Sequence, residues 1–230
     1  MAIFKKRIFG KHNKKVVFLF SGWRMNLSLL LLPIKILERN GFYCICYTYD
    51  NDVFSTNIPQ TVHNIQSIKN DVLEAISQLK TNGYTNFSVI SVSLGGVIAM
   101  LVGNESKDVK KIIFNTGGAD IALNVWTSSI TRGKFKQEII DQGYTLESLR
   151  EAWRSINPLD NIENLRDKKI LIYLAQKDNA IPFLNGMMVV GAFQKKKYSY
   201  SLIVNTKFGH LLTGIYNSLN AKVYLDFLNS

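Results

Sequence analysis

Phe87-Ser88-Val89-Ile90-Ser91-Val92-Ser93-Leu94-Gly95-Gly96 is the stretch whose reading decides the fold. Its first six residues are mainly apolar and β-branched, the pattern of a strand buried on both faces. Residues 94–103 read as a short helix directly behind that strand. Ser93 therefore stands where a buried strand turns sharply into a helix. A serine there is lifted off the sheet with its hydroxyl above the strand ends, and small neighbours let the backbone fold that tightly. The helix N-terminus behind it also supplies unpaired N–H groups that can hold a developing oxyanion.

Working outward, short β-branched and aromatic runs alternate with amphipathic segments, which predicts a parallel sheet covered by helices. Residues 16–20 are a continuous apolar run and 43–49 a second strand. Strands at 87–92, 111–115, 169–175 and 198–204 make about six in all. Helices are expected at 26–39, ended by Asn40-Gly41, and at 62–80, ended by Asn82-Gly83. The second carries Ile65, Ile68, Val72, Leu73, Ile76 and Leu79 on one stripe. Further helices fall at 182–194 and 214–228, and 50–61 reads as a loop. Between 116 and 157 no strand pattern appears, and helical stripes occur at 122–126, 135–140 and 146–153, so this segment reads as a helical insert.

With 230 residues, 47% hydrophobic and 20% charged, the chain fits a single globular domain over 1–230 that needs no disulfide or metal to hold its core. Cys44 and Cys46 lie two apart on one strand, hence on one face and poorly placed to bridge each other; they read as buried, reduced thiols. The net charge is +11. Much of it sits in Lys5, Lys6, Arg7, Lys11, Lys14 and Lys15 and in the run Lys195-Lys196-Lys197. This points either to an anionic surface or acidic carrier as partner, or simply to a solvated surface. No aromatic-basic repeat or nucleic-acid motif accompanies the charge. The apolar run at 16–20 breaks at Ser21-Gly22, so no uninterrupted signal-peptide core with a small-residue cleavage site is read there, and 27–34 reads as too short to span a bilayer. The expectation is a soluble, cytoplasmic protein. No Cys/His cluster has metal-ligand spacing and no glycine-rich loop fits a phosphate, so no cofactor is expected.

The turn around Ser93 resembles the nucleophile elbow of the α/β-hydrolase fold superfamily, usually written G-x-S-x-G, with Ser91 in the first glycine position. Two further stretches carry the resemblance. Leu171-Ile172-Tyr173-Leu174-Ala175-Gln176-Lys177-Asp178-Asn179-Ala180-Ile181-Pro182 places an acid just past a strand, like the family's acid loop. Asn205-Thr206-Lys207-Phe208-Gly209-His210 places a histidine in the loop after the last strand. The order Ser93, Asp178, His210 is that of the fold, and all three fall at the ends of expected parallel strands. The resemblance implies a three-layer α/β fold and an esterase-, lipase- or thioesterase-like serine hydrolase.

A serine hydroxyl needs a base within reach to act as a nucleophile; His210 suits that role, with Asp178 fixing its tautomer and stabilising the imidazolium. One oxyanion donor is the N–H of Leu94, the residue after the nucleophile. By resemblance to the family's His-Gly-x turn, the other is the N–H of Trp23, with Ser21 in place of the histidine. The insert at 116–157 lies where the family carries its lid; Leu123 and Trp126 are expected to face the cleft as substrate-binding residues, the other aromatics of the insert to pack it on the body.

Each residue also has an ordinary reading. Ser93 alone is a helix N-cap, Asp178 alone a turn residue, His210 alone a surface histidine. Of the three histidines, however, His12 lies in the basic tail and His63 opens a helix, which leaves His210 as the one placed to serve. Asp120 and Asp160 are rival acids. The expected reaction is hydrolysis of a carboxylic ester or thioester through an acyl-serine. An acyltransferase or peptidase on the same triad, and a binding protein that keeps only the fold, stand as alternatives. Phe20-Ser21-Gly22-Trp23 also resembles esterases that act on an acyl carrier protein.

Overall fold

Seven strands form one sheet in the order β1-β3-β2-β4-β5-β6-β7 in a computed structural model, which describes residues 3–230. The strands are β1 (Phe4–Phe9), β2 (Lys15–Phe20), β3 (Phe42–Tyr49), β4 (Phe87–Val92), β5 (Val109–Asn115), β6 (Lys169–Ala175) and β7 (Ser201–Asn205). All neighbours from β3 to β7 pair parallel; β1 alone runs antiparallel, along β3, with Phe4 opposite Tyr49 and Phe9 opposite Cys44. This is the α/β-hydrolase arrangement, with one strand more than the sequence pattern predicts. The extra strand is the basic stretch read as a tail. Lys5, Lys6 and Arg7 are exposed along it, so it has no alternating apolar signature. Charges on an edge strand also discourage pairing with a second chain.

Helices cover both faces. A 3-10 turn (Leu27–Leu30) leads into α1 (Leu31–Arg39), then follow α2 (Ile58–Thr81) and α3 (Gly95–Glu105). Between β5 and β6 come α4 (Ile121–Thr127), α5 (Lys134–Asp141) and α6 (Leu146–Ala152); α7 (Phe183–Lys196) precedes β7. The closing segment, expected as one helix, is two: α8 (His210–Leu219) and α9 (Ala221–Asn229). Helix α2 starts earlier than expected, inside the segment read as a loop. Asn57 caps it by accepting from the Gln60 N–H at 3.0 Å. Pro59 costs nothing in a first turn, where its missing N–H has no partner to lose.

The sheet separates two apolar layers. One, with Phe18, Ile45, Tyr47, Val89 and Phe114, lies under α2, α3 and the helices after β5. The other, with Val17, Leu19, Cys44, Cys46 and Ile113, lies under α1 and α9. The alternation along β3 sends both cysteines into this second layer, unbridged, and burial pushes each thiol up to about 12. No helix among the described residues is long and apolar enough to cross a membrane.

Candidate active site

The turn from β4 into α3 is built around a strained residue. Ser93 has φ +54°, left-handed backbone that L-residues seldom adopt outside tight turns. Its N–H donates to Asn115 O at 3.0 Å and its carbonyl accepts from Gly96 N–H at 2.9 Å. The two glycines behind it are required by close approach. A Cβ on Gly95 would run into the Phe20 carbonyl, and one on Gly96 would sit 2.7 Å from the Phe114 ring. Ser91, in the position usually held by glycine, is fully buried in β4 and donates its hydroxyl to Ile113 O at 3.0 Å. The left-handed conformation falls on Ser93, so a side chain at 91 meets no backbone penalty.

Ser93, Asp178 and His210 converge from three strand ends. His210 Nε2 lies 2.9 Å from Ser93 Oγ, and His210 Nδ1 lies 2.7 Å from Asp178 Oδ2. A carboxylate only accepts, so Nδ1 carries the proton in neutral imidazole and Nε2 turns its lone pair to the serine hydroxyl. Asp178 Oδ1 is taken by the N–H groups of Ala180 (3.0 Å) and Ile181 (2.8 Å), which lock the turn that carries it. Its side chain is 3% exposed and that of His210 is 14% exposed, enough to keep bulk water off the imidazole–carboxylate bond. His210 opens α8 rather than lying in the preceding loop.

The rival acids are committed elsewhere. Asp120 caps α4, accepting from the Leu123 N–H at 2.9 Å, and pairs with Arg150 Nε at 2.7 Å. Asp160 accepts from Asn157 Nδ2 at 2.6 Å.

The turn after β2 abuts the same point: a Cβ on Gly22 would lie 3.3 Å from that of Ser93. The backbone N–H groups of Trp23 and Leu94 donate to no acceptor among the described residues. The Trp23 indole is pinned, donating to Asn51 O at 2.7 Å, with the Arg24 guanidinium 4.2 Å over its ring. Ser21 is buried with its hydroxyl unpaired.

Beside Ser93 lies a pocket open to solvent whose lining includes Trp23, Leu94, Phe54 and Ile181 and no charged side chain. From α4 it takes Ile121, Asn124 and Val125. Leu123 and Trp126, expected to face the cleft, do not line it. The i, i+3, i+4 spacing puts 121, 124 and 125 on one face, whereas Trp126 packs on the main core layer under the Lys136 ammonium at 5.3 Å. Asn124 carried no sequence signal, because a lone amide in a short helix looks like a solvated residue. The other insert aromatics fasten it to the body: Phe135 stacks on Phe54 at 5.1 Å and Trp153 meets Phe54 at 5.4 Å.

The parallel sheet, the strained serine turn and the facing histidine define an α/β hydrolase of the serine-hydrolase class. Within that class the chain belongs to the prolyl oligopeptidase family, whose model matches residues 63–229. The matched span holds Ser93, Asp178 and His210 and leaves out the turn after β2.

Among solved structures, the acylaminoacyl peptidase of Pyrococcus horikoshii superposes with a TM-score of 0.74 at 14% identity, covering 99% of this chain and 41% of that one. The chain thus spans about two fifths of that peptidase's length. Est1E from Butyrivibrio proteoclasticus gives 0.67 at 16% identity, over 98% and 93% of the two chains. The Pyrococcus furiosus esterase Pf2001 gives 0.69 at 14% identity, over 98% and 86%. No curated protein matches the chain in sequence.

Proposed function

We propose that this chain hydrolyses a carboxylic ester or thioester through an acyl-serine intermediate. The observation that carries the reading is the unbroken line from the Asp178 carboxylate through the His210 ring to the Ser93 hydroxyl, at 2.7 and 2.9 Å. His210 Nε2 removes the hydroxyl proton as Ser93 Oγ attacks the carbonyl carbon. Asp178 stays ionised and stabilises the imidazolium that forms. The carbonyl oxygen, now anionic, takes the N–H groups of Trp23 and Leu94, which have no other partner to give up. Collapse of the tetrahedral intermediate breaks the bond to the leaving oxygen or sulfur, which receives the proton from His210. Water then repeats the sequence on the acyl-serine.

The uncharged pocket supports a neutral acyl group, and Est1E, similar in fold, has been solved with ferulic acid bound. We assign the helical segment 116–157 the role of a lid, because α4 contributes one wall of that pocket. The net charge of +11 suits an acidic acyl carrier as bearer of the ester, and the two free thiols suit the cytoplasm.

A fluorophosphonate probe tests the reading: it is expected to modify Ser93, and Ser93→Ala is expected to lose both labelling and hydrolysis of p-nitrophenyl esters. Full hydrolysis by Ser93→Ala overturns it. A second reading, cleavage of an acyl-amide bond in a peptide, draws on the family and on the acylaminoacyl peptidase neighbour. Matched p-nitrophenyl esters and p-nitroanilides of one acyl group separate the two, since only a peptidase turns over the anilide at a comparable rate.

A further inference from the structure

The pocket beside Ser93 is apolar over most of its wall, and its polar side chains besides the serine are Asn124, Ser128 and Thr131. Two of these are turned onto their own loop. Ser128 Oγ accepts from the Ile130 N–H at 3.1 Å, and Thr131 Oγ1 donates to Asn124 O at 3.1 Å. Asn124 differs, because a buried network fixes which way its amide points.

The network begins with groups whose polarity is certain. The backbone N–H groups of Ala119 and Asp120 each lie 2.9 Å from the same atom of the Asn185 amide. An N–H only donates, so that atom is Asn185 Oδ1. The other end, Nδ2, therefore donates to Asp120 O at 2.9 Å and to the Asn124 amide at 2.7 Å. Its contact on Asn124 must accept, so it is Oδ1. Asn185 is 1% exposed, and neither amide can flip without leaving two donors facing each other. Asn124 Nδ2 meets no acceptor among the described residues and, on a half-buried side chain, faces the open part of the pocket. It lies against Gly118, another pocket residue, where a Cβ would sit 2.9 Å from it.

A fixed amide donor in an apolar, uncharged pocket is a recognition element: it waits for an acceptor and disfavours a methylene in the acceptor's place. We infer that Asn124 Nδ2 binds an oxygen on the acyl chain of the substrate, so that the substrates are neutral acyl groups bearing an oxo, ether or amide oxygen. A carboxylate in the same place would be buried without a counter-charge, which is costly. The inference rests on Ser93 being the nucleophile that this pocket serves.

The test compares p-nitrophenyl esters of matched acyl chains: 3-methoxypropanoate and 4-oxopentanoate against pentanoate, and 4-methoxybutanoate against hexanoate. Each kcat/KM is divided by the ester's own rate of alkaline hydrolysis, which removes the electronic effect of the oxygen. At least one oxygen-bearing chain is expected to exceed its all-carbon partner by about tenfold or more, the scale of a desolvated hydrogen bond. In Asn124→Asp, Asn185 keeps its acceptor while the pocket receives an acceptor instead of a donor, so that ratio falls to about one or below. Gly118→Ala, whose Cβ would crowd Nδ2 at 2.9 Å and so screen or displace the donor, is expected to lower the ratio as well and serves if Asn124→Asp does not fold. Equal corrected ratios in the parent and both variants overturn the inference.

A second arm needs no turnover. Ser93→Ala is titrated calorimetrically with the neutral carboxamides of the same chains. The oxygen-bearing amides are expected to bind about tenfold tighter, and Asn124→Asp in that background is expected to erase the difference. If hydrolysis survives Ser93→Ala, the nucleophile assignment fails, while this arm still decides the role of Asn124.

Discussion

At Ser93 the backbone sits at φ +54°, a conformation costing an L-residue roughly 1–2 kcal/mol. It persists because the Asn115 carbonyl and the Gly96 N–H grip the peptide units on either side, and it aims the hydroxyl at His210 Nε2. Orientation of that ring depends in turn on Asp178, whose two oxygens do separate work: Oδ1 closes the turn with Ala180 and Ile181, Oδ2 takes Nδ1–H. Asp178→Asn can keep the turn through Oδ1 but presents an NH2 to Nδ1 and favours the wrong tautomer. We expect kcat to drop by about 10⁴-fold with the thermal melt little changed; undiminished kcat would remove Asp178 from the mechanism.

Among the elements, the helices between β5 and β6 matter most, because they enclose the pocket and have little sheet contact of their own. Their attachment is aromatic. Trp153 is fully buried, meets Phe54 at 5.4 Å and donates its indole N–H to Ile58 O at 3.4 Å, while Phe135 stacks directly on the Phe54 ring at 5.1 Å. Phe54 lines the pocket, so packing in the insert sets the shape of the site. Trp153→Ala removes the largest of these buried surfaces and is expected to lower stability by about 3–5 kcal/mol, read from the shift of a urea transition. A shift under 1 kcal/mol would mean that the insert is held by something else.

For the molecule as a whole, burial raises the thiols of Cys44 and Cys46 and the phenols of Tyr173 and Tyr224 to about 12. Tyr47 and Tyr49 are raised as well, by the same cause. In the unfolded chain these groups release their protons near 9 for thiols and 10 for phenols. Above those values the folded state holds more protons than the unfolded one, so stability falls as pH rises. The contribution is fully present below pH 9 and is lost progressively toward pH 12. Lys168 and Lys111, lowered by burial, act in the opposite sense, but only below 10.5, where the unfolded lysines still hold their protons, and they are fewer. Thermal melts are expected to be flat up to about pH 9 and to decline above it, by as much as about 1.4 kcal/mol per pH unit for each group in its window. A melting temperature unchanged at pH 11 would contradict this.

At that same scale, the sequence by itself determined the parallel sheet, the serine turn and the order of the three residues at strand ends. These follow from local periodicity and turn chemistry, and parallel topology carries successive strand ends to one edge wherever the helices fall. The departure at Ser91 was legible too, though only the register of β4 on β5 shows why it is tolerated: the hydroxyl meets Ile113 O. Tertiary structure alone decided the rest. The strand β1 pairs through backbone along an edge, so its side chains carry no apolar signal. The face that α4 turns to the pocket is a matter of docking angle, which selected Asn124 over Leu123 and Trp126. The direction of the Asn124 amide depends on Asn185, sixty-one residues away, a contact that no local pattern encodes because it exists only once the core has closed around it.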